Sequence, residues 1–403
     1  MAFLGIIVIL GLAVLLSENR KAINLRTVGV AFLLQASFAA FVLYSMLGQS
    51  VLDSVSQVVQ QVINYSNFGI EFLFGDLGRQ KLGFIFAFNV LPILIFFSAL
   101  MSILYYLGIM QFVVRVIGGF IKKVMGTGHA ESMSATANIF VGQTEAPLVI
   151  KPYLLGLTRS ELFAVMVGGM ASIAGSIMAG YANMGVELKF LIASSFMAAP
   201  GGLLMAKIIL PETETPKTEE EHNSEEEVEH ANVIDAAAAG ATSGLQLAVN
   251  VGAMLIAFIA LIALINGMIG GIGGWFGYPD FSLQVMLGWL FSPLAYVIGI
   301  PWEEASKAGS LIGQKLILNE FVAYVEFVKI KADLAVSSQA IITFALCGFA
   351  NLSSIAIILG GLGSLVPSRR HELASLGVKA LLAATLANLM SATLAGIFLG
   401  IAG

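Results

Sequence analysis

The segment NIFVGQTEAPLVIKPYL places an amide, a hydroxyl and a carboxylate side by side in an otherwise apolar stretch, at Gln143, Thr144 and Glu145. The helix breakers Gly142 and Pro147 flank them and free backbone N–H and C=O groups. Gln143 offers two donors and an acceptor, Thr144 a donor and an acceptor, whereas an ionised Glu145 only accepts. Such a cluster suits a planar solute that forms hydrogen bonds. A polar contact that ties helices together is the alternative.

A second polar group follows in the segments GQKLILNEFVAY and CGFANLSSIAIILGG. Asn319 and Glu320 interrupt a stretch otherwise suited to lipid, and a buried glutamate must be paired, protonated or in contact with water. Asn351 and Ser354 are three residues apart and therefore share one helical face. Phe349 could stack on a ring or a sugar, although core packing explains a lone aromatic residue equally well.

The segment GGMASIAGSIMAGY, residues 168–181, predicts a helix that unwinds locally, because its glycines weaken helical structure. Freed carbonyls, together with an amide and a hydroxyl, provide the oxygen ligands that hard cations such as sodium need. Asn138 and Ser172 are the candidate side chains. Close packing of helices through small residues is the alternative that the spacing leaves open.

The composition places these polar groups in a membrane. Of 403 residues, 58% are hydrophobic and only 11% are charged, whereas soluble domains contain about 25% charged residues. The only cysteine, Cys347, excludes disulfides, and the four histidines are scattered without metal-ligand spacing. The chain shows no nucleophile–base pair, zinc motif or phosphate loop, so we predict a polytopic membrane protein that is not an enzyme.

Apolar segments of about 20 residues predict eight transmembrane helices. They lie at residues 2–17, 28–47, 84–107, 161–183, 188–209, 244–270, 339–365 and 377–402. Two further stretches, 129–155 and 285–325, are apolar but broken by Gly, Pro and ionisable residues. We interpret them as re-entrant hairpins, since irregular backbone survives at membrane depth only when it is buried in protein or lines a cavity.

The distribution of Lys and Arg tests this layout. If both hairpins return to their own side, 13 basic residues fall in one set of connections and 5 in the other. The basic side is cytoplasmic, which places both termini outside. Residues 212–235 then lie inside; they hold ten acids and one lysine, a charge of −9 that leaves +4 on the rest of the chain. This composition predicts a mobile loop.

The two hairpins enter from opposite faces, and two spans follow each of them, which predicts an inverted repeat. Secondary transporters with such repeats bind substrate between the repeats, near the middle of the membrane. The predicted organisation is amino-terminal and interfacial helices at 1–128, a first repeat at 129–209, an acidic cytoplasmic loop at 210–243, a scaffold helix and outer loop at 244–284, and a second repeat at 285–403.

The motifs GQTEAP, GxKxxxNEFVAY (Gly313, Lys315 and 319–324) and FANLSS resemble the concentrative nucleoside transporter family over nearly the whole chain. The resemblance implies an all-α fold with eight transmembrane helices, two opposed re-entrant hairpins and interfacial helices, here at 53–74 and 110–125. It also implies a homotrimer in the cell membrane, in which a transport domain carrying both hairpins moves against a scaffold. Nucleosides of the uridine, cytidine and adenosine class are the implied substrates, and no nucleic acid partner is expected.

The resemblance also implies roles for particular residues. The nucleobase would be bound by Gln143, Thr144 and Glu145, with Ile177 beside it. The ribose would be bound by Glu320, Asn351 and Ser354, with Phe349 lining the pocket. Sodium would be bound by the side chains of Asn138 and Ser172 and by the carbonyls of Val141 and Ile173.

Sodium is the expected coupling ion, and no other cofactor is expected. The sequence after Gln143 is Thr-Glu-Ala-Pro, as in sodium-coupled members, whereas proton-driven bacterial relatives have Gln-Ser-Glu followed by Asn. A proton-coupled nucleoside symporter is therefore the alternative. A different hairpin-containing carrier, such as one for dicarboxylates, would need cationic groups at the tips, and only Lys315 favours it. A channel or receptor agrees poorly with an inverted repeat.

Overall fold

The computed structural model describes residues 2–79, 81, 83–216, 230–278 and 281–402, and all regular structure in these ranges is helical. The predicted all-α class is confirmed. Of the predicted acidic loop, residues 217–229 lie outside the described residues. The amino-terminal helices are α1 (Ala2–Leu15), α2 (Leu25–Tyr44), α3 (Met46–Phe74), α4 (Phe86–Asn89), α5 (Leu91–Tyr106) and α6 (Ile109–Met125).

The remaining helices form two similar series. The first begins with α6 and continues with α7 (His129–Ala137), α8 (Ala146–Val149), α9 (Arg159–Ala171), α10 (Gly175–Asn183) and α11 (Leu188–Ile209). The long helix α12 (Val233–Trp275) leads to the second, which consists of α13 (Leu283–Val297), α14 (Trp302–Ile317), α15 (Glu320–Ile330), α16 (Val336–Leu346), α17 (Leu352–Leu365) and α18 (Arg370–Ala402).

The order of elements is repeated between the two series. An amphipathic or apolar helix (α6 or α13) packs on the first arm of a broken segment (α7 or α14). A span interrupted near its middle follows (α9–α10 or α16–α17), and an unbroken helix ends each series (α11 or α18). The predicted interfacial helices 53–74 and 110–125 correspond to α3 and α6. This order agrees with the predicted repeat, and the opposed orientation stays a prediction.

Six helices of the described ranges are long and apolar enough to cross a membrane: Leu25–Tyr44, Phe86–Tyr106, Arg159–Asn183, Leu188–Ile209, Val233–Trp275 and Pro367–Ile401. The first predicted span forms the 14-residue α1. The predicted span 339–365 is divided between α16 and α17 by a break at 347–351, and the predicted unwinding within 168–181 occurs at 172–174. The count of eight spans stays a prediction.

The segment predicted as the second hairpin is divided into three helices, α13, α14 and α15. The sequence pattern suggested 285–325, but α13 is a separate helix that makes an angle of 116° with α14. Gly299 has a φ of +113°, which favours glycine, and Pro301 is the residue before α14. A second break separates α14 from α15 at 318–319, and the assignment of α14 and α15 as the arms of a re-entrant hairpin stays a prediction. The boundary between α13 and α14 could not be predicted, because the apolar composition continues from α13 into α14.

The helices α11 and α18 and the broken span α9–α10 form the centre of the fold. The most apolar part of each is 94%, 78% and 89% buried, against 22% in α12 and 28% in Phe86–Tyr106. The helix α11 contacts α2, α9 and α18, and α18 also contacts α16 and α17. Both broken spans therefore pack on the pair α11 and α18.

A buried ion pair joins α11 to the first arm of the first series. The Lys207 Nζ lies 2.7 Å from the Glu131 Oε2, with side-chain exposures of 7% and 1%. The Nζ also donates to the Ser160 Oγ (3.0 Å), and the Gly128 N–H donates to the Glu131 Oε1 (2.7 Å). Positive-inside counting had placed Lys207 in a connection, but the residue is buried at the end of α11.

Lys207→Met should strongly destabilise the protein, because it leaves the Glu131 carboxylate buried without its cation. Breaking one side of a buried pair costs about 3–5 kcal/mol. Thermal unfolding of the purified protein measures the loss. Lys207→Met with Glu131→Gln should recover part of it, and Lys123→Met, at an exposed position, should leave stability unchanged. A melting temperature for Lys207→Met equal to that of the parent would contradict the assignment.

Candidate functional site

The connection between α7 and α8, residues 138–145, packs on the break between α9 and α10. The Gly175 N–H donates to the Phe140 carbonyl (2.9 Å). A Cβ at Gly169 would lie only 3.0 Å from the Cβ of Gln143, so the absence of a side chain permits this close approach. Residues 138–145, which we call the tip, are thereby held against residues 172–174.

The breaks of the two spans also contact each other. The Phe349 N–H donates to the Ser172 carbonyl (3.1 Å). From α18, the Asn388 Nδ2 donates to the carbonyls of Ala171 (2.6 Å) and Cys347 (3.0 Å). Helix ends leave carbonyls without intrahelical partners, and one amide satisfies a carbonyl at each break. The irregular backbone of both spans thus meets at one point inside the protein.

A continuous row of hydrogen bonds leads from the tip into the second series. The Gln143 Nε2 donates to the Ser354 Oγ (3.3 Å), and the Ser354 Oγ donates to the Asn351 Oδ1 (3.3 Å). The Asn351 Nδ2 donates to the Glu320 Oε2 (2.8 Å), and the Tyr181 hydroxyl donates to the Glu320 Oε1 (3.1 Å). We call these five buried residues the polar chain. It connects the groups that the sequence had assigned separately to a nucleobase and to a ribose.

Helix starts explain why the sequence places these side chains here. Asn351 is the N-cap of α17, and its Oδ1 accepts from the Ser354 N–H (3.0 Å). Asn319 is the N-cap of α15 and accepts from the Val322 N–H (2.9 Å). Glu320 is therefore the first residue of α15, where the positive end of the helix dipole favours a carboxylate. Two helix starts bring donors and one carboxylate to the same place.

The other tip residues are more accessible. Thr144 and Glu145 are exposed, whereas Gln143 is 6% exposed. Thr144 packs so closely on α17 that a Cβ at Gly361 would lie 2.7 Å from its Cγ2. The Glu145 Oε2 accepts from the Gly142 N–H (2.9 Å) and stabilises the turn.

The Gln143 Oε1 is buried and has no hydrogen-bond partner among the described residues. An unsatisfied buried acceptor is costly, so this oxygen is available to a ligand. Of the two lining residues, Ile177 is buried on α10, and Phe349 is partly exposed in the break before α17.

The residues assigned to sodium lie where the tip meets the break. Asn138 directly follows α7 and Ser172 directly follows α9, while Val141 and Ile173 are buried in the tip and in the break. The Asn138 Nδ2 donates to the Ser134 carbonyl (2.9 Å), which leaves its Oδ1 buried without a partner in the described part of the chain. A free amide oxygen beside irregular backbone suits a hard cation. These residues therefore fit sodium.

Three residues of this region were given no role in the predicted site. Tyr181 lies within an apolar helix, and Asn388 is one amide in the long α18. Lys315 was noted as part of a motif and as the one residue that favours a dicarboxylate carrier; its Nζ donates to the Ala345 carbonyl (2.8 Å) and the Asn388 Oδ1 (2.7 Å). A charged residue in a stretch suited to lipid was the available signal for Lys315. Nothing local distinguished the other two.

Broken spans that meet in the interior, with a polar chain between them, define a secondary transporter of the membrane rather than an enzyme. Three family models match nearly the whole chain. They are described as "Na+ dependent nucleoside transporter N-terminus" (residues 4–77), "Nucleoside recognition" (87–187) and "Na+ dependent nucleoside transporter C-terminus" (190–396).

The chain belongs to the concentrative nucleoside transporter family. It is similar to the nucleoside permease NupC of Helicobacter pylori, with 51% identity over 100% of this chain and 99% of the relative. It is also similar to the structure of CNTnw in an inward-facing substrate-bound state (57% identity, TM-score 0.97, coverage 100% and 98%). A CNTnw double variant in an outward-facing state matches with 56% identity, TM-score 0.96 and the same coverage. The resemblance stated from the motifs is confirmed.

Proposed function

We propose that this nucleoside transporter is a symporter that imports nucleosides with sodium, down the sodium gradient. The observation that carries the coupling is the buried, unpartnered Oδ1 of Asn138 at the contact between the tip and the broken span. The family models for Na+ dependent nucleoside transporters support the same ion. The tip sequence after Gln143 agrees with it.

The polar chain is the proposed nucleoside site. Glu320 accepts from Tyr181 and Asn351, and a carboxylate held in this way can also accept from the two hydroxyls of a ribose. The Gln143 Nε2 is held only at 3.3 Å and its Oε1 is free, so the amide can donate to and accept from a base edge. Thr144 and Glu145 complete the base side, Ile177 and Phe349 line the pocket, and Ser354 and Asn351 connect the two sides.

Coupling follows from the place where the two sites meet. Asn138 and Val141 belong to the same tip as Gln143, and Ser172 and Ile173 belong to the break on which the tip packs. A cation bound there orders the tip in the conformation that the base needs. Sodium and nucleoside then raise each other's affinity, since coupling between sites is reciprocal.

Movement of a transport domain against a scaffold is the proposed mechanism of alternating access. The similarity to CNTnw in both inward- and outward-facing states supports two global conformations. The helix α12 exposes apolar side chains along its length, among them Leu245, Ile256 and Leu264, which suits lipid or the scaffold contact of a homotrimer. We place the protein in the cell membrane with both termini outside and the two repeats at 129–209 and 285–403.

Uptake of labelled uridine, cytidine and adenosine into proteoliposomes tests the proposal. An inward sodium gradient should drive accumulation above equilibrium, and an inward proton gradient in sodium-free choline buffer should not. A collapsed sodium gradient on the same vesicles is the control. Accumulation driven by protons without sodium would overturn the sodium assignment in favour of the proton-coupled alternative.

A further inference from the structure

Lys315 is a buried cation that has no role in the proposed sodium and nucleoside sites. It lies in the last turn of α14 and is 3% exposed. A charge at such a position needs polar partners, because isolated burial is very costly. Its Nζ donates to the Ala345 carbonyl (2.8 Å) and the Asn388 Oδ1 (2.7 Å). Both partners are oxygens, the atoms that a hard metal cation would also choose.

The orientation of the Asn388 amide is determined by its other contacts. Its Nδ2 donates to the carbonyls of Ala171 and Cys347, and carbonyls only accept, so the Oδ1 must be the atom that faces the amine. Ala345 lies in the last turn of α16, which ends at Leu346. The negative end of a helix dipole favours a positive charge there. The Lys315 ammonium therefore stabilises the carbonyl end of α16, which is the negative end of its helix dipole.

The first series has a corresponding place, where no basic side chain of the described residues donates to the free amide oxygen. There, Asn138 directly follows the first arm α7 and lies beside the break of α9–α10. In the second series, Lys315 lies near the end of the first arm α14, beside the break of α16–α17. The Asn138 Oδ1 has no partner in the described part of the chain, whereas the oxygens of the second place are satisfied by an amine.

We propose that the Lys315 ammonium occupies a position in the second repeat that is equivalent to the sodium site of the first repeat. The inference rests on the proposed sodium coupling and deepens it. One of two related cation places is filled permanently by the chain, so only the other responds to the ion in solution. Lys315 binds Ala345 and Asn388. Asn388 donates to Cys347 in the same break that ends at Asn351, the partner of Glu320, so Lys315 positions the part of the site that receives the ribose. It acts as a positioning residue and does not contact the nucleoside itself.

Two neutral variants test the charge and the space separately. Lys315→Met fills the place without a charge, whereas Lys315→Ser empties it and leaves an oxygen. Uridine binding is measured by calorimetry on protein in nanodiscs over a range of NaCl concentrations. We expect Lys315→Met to bind uridine at least about 10-fold more weakly at saturating sodium, a loss within the usual range of site coupling. In Lys315→Ser, rising NaCl should restore binding, and the Hill coefficient for sodium should exceed that of the parent by about one, since a second ion now binds with the ligand.

Controls keep the test independent of folding and of the sodium proposal. Lys307→Met, on the same helix with a side chain 48% exposed, should bind like the parent. Lys315→Arg keeps the charge and should bind uridine better than Lys315→Met; it decides the question if the neutral variants fail to fold. If uridine binding by the parent ignores sodium, the proposed coupling fails, but salt-dependent rescue of Lys315→Ser still reports on Lys315. The inference is overturned if Lys315→Met binds like the parent, if salt does not rescue Lys315→Ser, or if folded Lys315→Arg binds as weakly as Lys315→Met.

Discussion

Glu320→Gln is expected to weaken uridine binding by about 10- to 150-fold, since hydrogen bonds to a charged group contribute about 1.5–3 kcal/mol. The substitution keeps the size of the side chain but replaces one acceptor oxygen by a donor. The contacts from Tyr181 and Asn351 occupy one lone pair on each carboxylate oxygen, so a ribose diol depends on the lone pairs that remain. Calorimetric titration of purified protein with uridine at saturating sodium measures the change.

A ligand lacking the diol separates the ribose contact from general damage. 2′,3′-Dideoxyuridine should bind the parent weakly and should lose little further affinity in Glu320→Gln. Glu326→Gln is the matched control, because Glu326 lies on the same helix, is 37% exposed and pairs with Lys329 at 3.1 Å. Equal losses for uridine and the dideoxy ligand would show that Glu320 supports the fold rather than the ribose.

Asn138→Ala combined with Ser172→Ala should remove the response of uridine binding to sodium. The two changes take away an amide oxygen and a hydroxyl oxygen from the proposed site at the contact between the tip and the break. Coupling between two sites is typically about 1–3 kcal/mol, or about 5- to 150-fold in affinity. Uridine affinity in saturating sodium should therefore fall to the value that the parent shows without sodium. Uridine titrations across a series of sodium concentrations, with choline as the replacement, measure it.

The matched control for this pair is Ser195→Ala. Ser195 is buried, and its Oγ donates to the carbonyl four residues earlier (3.0 Å), as the Oγ of Ser172 does. It lies in the unbroken α11, so its loss should leave sodium dependence intact. A double variant of Asn138 and Ser172 that retains the full sodium response would place the ion elsewhere.

Much of the fold was predictable because apolar composition and helix breakers are local properties. The helical class and the unwinding near Ser172 followed from such patterns, whereas the helices α3 and α6 were expected from the family resemblance. Boundaries inside continuous apolar sequence were less accessible. The predicted span 339–365 is two helices, and α13 is separate from the arm that follows, since only contacts with neighbouring helices decide where a chain of similar composition bends.

The candidate site divides in the same way. Residue types and spacing by themselves determined which groups are too costly for lipid: the tip around Gln143, Glu320 with Asn319, and the pair Asn351 and Ser354. They also carried the resemblance to nucleoside transporters. Only the tertiary structure decided that these groups form one polar chain with Tyr181, a residue with no local signal.

Contacts between residues that are distant in the chain determined the other features of the site and the core. Asn388 lies 217 residues from Ala171 and joins the two breaks, and Lys207, counted from sequence as a connection residue, is buried against Glu131. The sequence pattern shows which polar groups would cost free energy to bury in an apolar environment. It does not show which oxygen or amine satisfies that group, because the hydrogen bonds are formed between helices whose relative positions depend on the packing of the whole molecule.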